Sequence, residues 1–275
     1  MHLKKQNGFS LVELSIVLVI LGLLTGGILA GQSLIRAAEL RAVTTEFQRY
    51  YTAGQAFRDK YFQLPGDFRD ATRFWGRLNS NTDCGTNSAA AVATPGACDG
   101  NGDGTISWGG AGSQSSEGAQ VWKQLANAGL IEGNYTGLTG AGGGVDFTPG
   151  TNVPKSKMNN AGWSVYNPLN TMGNFSGGAQ WYAGSYGNAL IFGSKIATNL
   201  TQGQILKPEE AWNIDTKMDD GKPGTGKVIA SEDYWFQSPA AAGQCTTSAS
   251  ATDYSGTYNL SNSAIICALD FPLAF

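Results

Sequence analysis

From Leu14 to Ile35 the chain runs for twenty-two residues without a charge. As a helix this run rises about 1.5 Å per residue, about 33 Å in all, enough to cross the hydrocarbon core of a bilayer. It predicts a membrane-spanning stem and confines the globular part of the fold to the residues that follow. Lys4 and Lys5 precede the run, and cationic residues flanking a span stay on the cytoplasmic side, so the chain beyond Ile35 is expected on the opposite side. Gly22, Gly26, Gly27 and Gly31 interrupt the Leu, Ile and Val surface at spacings that let helices approach closely.

A secretory signal places its apolar run ahead of a small-residue cleavage site. Here the small residue, Gly8, comes first, in Gly8-Phe9-Ser10-Leu11-Val12-Glu13, so a cut there leaves the apolar helix on the mature protein. GFSLVEL followed by a long apolar helix resembles the processing and methylation signal of type IV pilins and type II secretion pseudopilins. The resemblance implies cleavage between Gly8 and Phe9 by a prepilin peptidase and methylation of the new amino terminus at Phe9. Glu13 then becomes the fifth mature residue. A carboxylate near bilayer depth is costly unless paired, and the resemblance implies pairing with the amino group of a neighbouring subunit's Phe9, which makes Glu13 an assembly residue. Other implied partners are homologous pilin or pseudopilin subunits, an inner-membrane assembly platform, and membrane lipid before assembly. The implied location is a single-pass inner-membrane protein with a periplasmic head, later built into a periplasmic or cell-surface filament.

The domain organisation expected is a leader at 1–8, a transmembrane and assembly helix at 9–35, an amphipathic continuation at 36–64, and an exported globular head at 65–275. In the continuation, Phe47, Tyr50, Tyr51 and Phe57 offer a face to the head, and Pro65-Gly66 ends the helix. Within the head, helices are expected over 67–78, 116–128 and 207–218, the second capped by Ser115 or Ser116 and closed by Gly129, the third begun by Pro208. Strands are expected at 189–192, 227–230 and 264–269. Residues 133–188, rich in Gly, Asn and Ser, show no firm period and predict loops and a hairpin. The fold class is α+β: a long N-terminal helix on a loop-rich head with a small antiparallel sheet, pilin-like by the resemblance.

Cys84 with Cys98 and Cys245 with Cys267 form local pairs. Four cysteines allow three connectivities; an oxidising compartment favours disulfides, and the Cys245 to Cys267 loop resembles the one pilins often close near the C-terminus. The stretch from Asp99 to Ser107 matches the start of an EF-hand loop, with hard oxygens at alternate positions and a glycine at the sixth. Asp99, Asn101 and Asp103 would offer side chains to calcium, and Thr105 its carbonyl. Gly110 stands where a bidentate glutamate belongs, leaving Glu117 to return to the site; the other reading is a solvated Asx and Gly turn. Asp215, Asp219 and Asp220 form a second acidic group, open to a cation or to neutralisation by Lys217 and Lys222.

Sixteen basic residues against twenty-one acidic ones remain once Lys4 and Lys5 are removed, a net charge of −5 that argues against nonspecific nucleic-acid binding. The single histidine is His2, within the expected leader, so the mature chain lacks imidazole for acid–base or zinc chemistry and no enzymatic role is expected. The function expected is a structural subunit of a pilus or secretion pseudopilus, a large minor subunit with a calcium-stabilised head. The alternative is a filament-borne adhesin whose Trp163, Trp181, Tyr182, Tyr186, Tyr234 and Trp235 stack on glycans.

Overall fold

The computed structural model of the protein describes residues 10–78, 95–107, 116–139, 146–167, 182, 184, 186–197, 199–231, 244–248, 250, 252–272 and 274–275. The chain forms two compact units, residues 1–41 and 42–275. Helix α1, Leu11–Tyr61, supplies residues to both.

In the first unit the apolar stretch is long and hydrophobic enough to cross a membrane, by length and composition, and none of it is buried. Its few hydroxyls are turned back on the helix: Ser15 Oγ donates to the Val12 carbonyl, Thr25 Oγ1 to Leu21 and Ser33 Oγ to Ala30, each at 2.9 Å. Lipid offers no hydrogen bonds, so this internal satisfaction is what permits these residues in a span.

The second unit is built on a four-stranded sheet of β1 (Ala161–Tyr166), β2 (Ala189–Ser194), β3 (Ile229–Ser231) and β4 (Ala268–Phe271), ordered β1-β2-β4-β3 with every pair antiparallel. Register puts Trp163 opposite Phe192 and Leu190 opposite Phe271 on one face, and Ile191 and Ile229 opposite Asp270 on the other. The α1 residues from Ala42 onward bury Ala42, Val43, Glu46, Tyr50, Ala53, Gly54 and Phe57, the i, i+3, i+4 spacing of a helix with one covered stripe. Tyr50 meets Trp163 edge-on at 5.7 Å between centroids and Phe47 stacks on Phe271 at 4.6 Å. The opposite face is covered in part by residues 201–203, whose backbone lies against Gly193.

Helices α3 and α4 follow their sequence signals, whereas α2 is shorter than the helix expected over 67–78. Helix α2, Ala71–Trp75, lacks a cap from Asp70; Asp99 Oδ1 accepts from Thr72 N instead, at 2.8 Å. Helix α3, Glu117–Asn127, is capped by Ser116 Oγ on Ala119 N at 3.1 Å and closed by Gly129 at φ +72°. Helix α4, Pro208–Met218, has Glu210 reaching back to Lys207 N at 2.9 Å.

One polar group lies within the apolar stripe of α1. Glu46, 8% exposed, accepts hydrogen bonds from Trp163 Nε1 at 2.8 Å, Ser156 Oγ at 2.7 Å and Lys157 N at 2.8 Å. Replacing Glu46 by Ala leaves these donors without their acceptor, and we expect a loss of about 3 kcal/mol in urea unfolding, with Glu46→Gln losing less. Three residues before Phe57, Gly54 gives Phe275 its seat: a Cβ there would come within 1.8 Å of the ring. Gly54→Ala should therefore lower stability by about 1–3 kcal/mol, and a thermal melt equal to wild type would refute this packing.

Candidate functional site

The predicted cation loop is held by two carboxylates from outside it. Asp67, nearly fully buried, accepts from the amides of Gly102 and, at 2.8 Å, Gly104. Glu117, at the start of α3, accepts from Asn101 N at 3.1 Å and from both Ser107 N and Ser107 Oγ at 2.8 Å. Inside the loop, Asn101 Oδ1 accepts from Asp103 N and Asp103 Oδ1 from Thr105 N, two successive Asx turns. Burial raises the pKa of Asp67 and of Glu117, against the opposing pull of these amides, while the Thr105 hydrogen bonds lower that of exposed Asp103.

Of the five ligands predicted, Glu117 does return to the loop, and Asn101 and Asp103 adjoin, Nδ2 to Oδ2 at 2.9 Å. Asp99 instead turns to α2, where Thr72 N and Oγ1 donate to its two oxygens. Thr105 donates its hydroxyl to Asp103. The donors are of the type calcium takes, hard oxygens at a sharp turn, yet in this geometry protein N–H and O–H groups engage Asp67, Asp99, Asp103 and Glu117. Asp67 precedes the loop by more than thirty residues and reads in the sequence only as the start of the helix expected over 67–78.

Among the described residues, the three acids whose oxygens lie within 4.8 Å of one another are Asp215, Asp219 and Asp220. Each also organises the turn after α4. Asp215, buried, accepts from Tyr258 Oη at 2.9 Å and Gly221 N at 3.1 Å. Asp219 accepts from Lys227 N, and Asp220 from Lys222 N and Thr225 Oγ1. Burial, with Asp220 and Asp219 as neighbouring like charges, pushes the Asp215 carboxyl up to about 7.

At the other end of the sequence, Ser10 and Glu13 form a reciprocal cap on α1. Ser10 N donates to Glu13 Oε2 at 2.8 Å and Glu13 N to Ser10 Oγ at 3.2 Å, the capping-box arrangement, with the carboxylate at the positive end of the helix dipole. Gly8 and Phe9 lie outside the described residues. The resemblance assigns Glu13 to pairing between subunits; its pairing with Ser10 is a second role, within one chain.

Residues 3–29 match the prokaryotic N-terminal methylation motif. This is the signal of type IV pilins and pseudopilins, and it supports a pilin-like structural subunit anchored by its apolar helix. In general the methylation motif implies a prepilin peptidase and assembly with other pilin subunits. No curated protein and no solved structure matched the chain.

Beyond the methylation motif, the head offers two further comparisons with expectation. Cys245 and Cys267 are joined by a disulfide, Cα atoms 5.3 Å apart; Cys98 is also disulfide-bonded, and its expected partner, Cys84, lies outside the described residues. The proposed glycan platform is corrected in part. Trp163, Tyr182 and Tyr186 are buried: the Trp163 indole is spent on Glu46 and the Tyr186 hydroxyl on the Tyr182 carbonyl, so these rings present no face to a sugar. Trp181, Tyr234 and Trp235 lie outside the described residues.

Asp67→Ala should free the Gly102 and Gly104 amides and destabilise the loop by about 2 kcal/mol, which hydrogen exchange would read as faster exchange at both glycines. Asp99→Ala, whose partner is Thr72, should leave those two amides protected.

Proposed function

We propose that this protein is a filament subunit of the type IV pilin or type II secretion pseudopilin kind, cut after Gly8 and methylated at Phe9. The observation that carries this reading is the methylation motif at residues 3–29 running directly into an apolar helix of bilayer-spanning length. Before assembly the helix anchors the chain in the inner membrane with its head on the periplasmic side. On assembly, Gly22, Gly26, Gly27 and Gly31, where an added Cβ would meet nothing, admit neighbouring helices, and Glu13 exchanges its cap on Ser10 for the amino group of an adjacent subunit. The role is structural, not catalytic: His2, the only histidine, leaves with the leader. A head of more than two hundred residues suits a minor subunit of such a filament.

Intact-mass and N-terminal analysis of native protein from sheared extracellular material and from the envelope tests this directly. Methylated Phe9 is expected; an intact Met1 in both fractions would overturn the reading. Glu13→Ala and Glu13→Gln should both leave processed protein in the membrane and abolish its recovery in sheared filaments, since Gln preserves an acceptor for Ser10 but carries no charge. Wild-type recovery of the Ala variant would exclude Glu13 from assembly.

Calcium is the cofactor we propose for the head, at the loop of Asn101, Asp103, Thr105 and Glu117, with Asp99 joining them only by giving up Thr72. The support is the ligand spacing and the return of Glu117. Calcium should raise the melting temperature of the full chain in detergent and chelator should lower it, with the difference lost in Asp103→Ala. A chelator-insensitive melt would exclude the cofactor, and a calcium shift that survives Asp103→Ala but disappears in Asp219→Ala would place the ion at the second acidic group.

A further inference from the structure

Asp270 occupies the middle of β4, the strand that joins β2 to β3. It is 1% exposed, and neither carboxyl oxygen has a hydrogen-bond partner. Its direct cross-strand neighbours are Ile191 and Ile229. Among the described residues Ser231, the diagonal neighbour on β3, is the hydroxyl that favours the ionised form, an effect smaller than that of burial, and its Oγ is not in full hydrogen-bond geometry with either carboxyl oxygen. Thr201 and Gln202, from the segment covering the same face at Gly193, are neutral. Among the described residues the ionisable group that senses Asp270 is Tyr186, itself buried, and its hydroxyl is committed to the Tyr182 carbonyl. Among the described residues no cation and no second carboxylate contributes to its titration.

Among the described residues an ionised carboxylate in such a place has no counter-charge and at most one serine hydroxyl beside it, and a buried charge so placed is far more costly than the neutral acid. We propose that closure of the head is proton-coupled: Asp270 takes up one proton from solvent as β4 enters between β2 and β3, and releases it when the sheet opens. The head is thus a fold that acid tightens and alkali loosens.

Burial raises the Asp270 carboxyl from its ordinary 3.8 to about 8. The folded chain therefore binds one more proton than the unfolded chain between those two values, and stability must fall as pH rises through that window. Below it both states are protonated and the contribution is complete; above about 8 it has gone. Within the window the unfolding constant rises up to tenfold per pH unit from this one site. Asp215, raised to about 7, adds a slope in the same direction, so the diagnostic quantity is the difference between wild type and a variant at Asp270.

Urea unfolding of the full chain in detergent micelles, at intervals from pH 5 to pH 9, should be compared for wild type, Asp270→Asn and Asp270→Val. Asn keeps the shape without the titration; Val suits an interior strand flanked by Ile191 and Ile229 and needs no partner, which covers the case in which the Asn amide prevents folding. Wild type should lose stability relative to the variant by up to tenfold in the unfolding constant per unit between about pH 5 and pH 8, with both variants gaining most at pH 9. Parallel pH profiles for wild type and either folded variant would overturn the proposal. So would a variant that is less stable than wild type by a larger margin at pH 9 than at pH 5, because that result requires a charged Asp270 with a partner.

Discussion

The head is indexed to its spine by one buried carboxylate. Glu46 sits in the covered stripe of α1 and binds three donors, two on the loop before β1 and the Trp163 indole on β1 itself. An apolar stripe alone would let a helix slide or rotate over a sheet, because burial is nearly indifferent to small displacements. Hydrogen bonds are not indifferent, and a charge removed from water tolerates little loss of its partners. With Trp163 held by its nitrogen, its ring is set against Tyr50, Phe192 and Phe271, and Phe271 in turn stacks on Phe47. The aromatic core of the sheet's helix-facing side is thus oriented from a single polar contact.

The same device recurs in the loops. Asp67 and Glu117 gather amides from a glycine-rich segment that has few apolar side chains to bury, and Asp215 does the same for the turn after α4 through Gly221 and Tyr258. Gln120 and Gln124, side by side on α3, extend the pattern without charge: Gln120 accepts from Cys98 N, and Gln124 accepts from Gly66 N while donating to the Cys98 carbonyl. With charged residues only 14% of the chain, several of its acids work inside the head and leave the surface to Asn, Ser, Thr and Gly. Backbone groups in irregular segments must find partners somewhere, and here helices supply them sideways.

What could be read from the sequence was local. Ser116 and Gly129 bounded α3, Pro208 opened α4, and short apolar runs located β2 and, to within a few residues, β3 and β4. The α2 segment was drawn longer than it is, since Phe68 and Phe74 gave apolar surface but Asp70 supplied no cap and Gly76 ended the turn at φ +77°. Strand β1 was missed inside a region without period: AGWSVY is buried on both sides, so it lacks the alternation of a half-exposed strand. Neither Glu46 nor Asp270 stands out in the sequence: Glu46 is one polar residue in the amphipathic continuation, and Asp270 falls just beyond the strand expected at 264–269. Their roles depend on partners more than a hundred residues away or on burial between distant strands, and neither condition leaves a trace in neighbouring letters.

The strand order carries a consequence for the making of the molecule. β4 lies between β2 and β3 yet follows both in sequence, and among the described strands β3 pairs with β4 alone. A chain delivered N-terminus first can join β1 to β2 early, but it must carry β3 and the open edge of β2 unpaired until residues 268–271 arrive. Such edges are templates for mispairing. The sheet is therefore sealed only by the arrival of β4, and whatever escorts the unfinished chain must shield those edges until then.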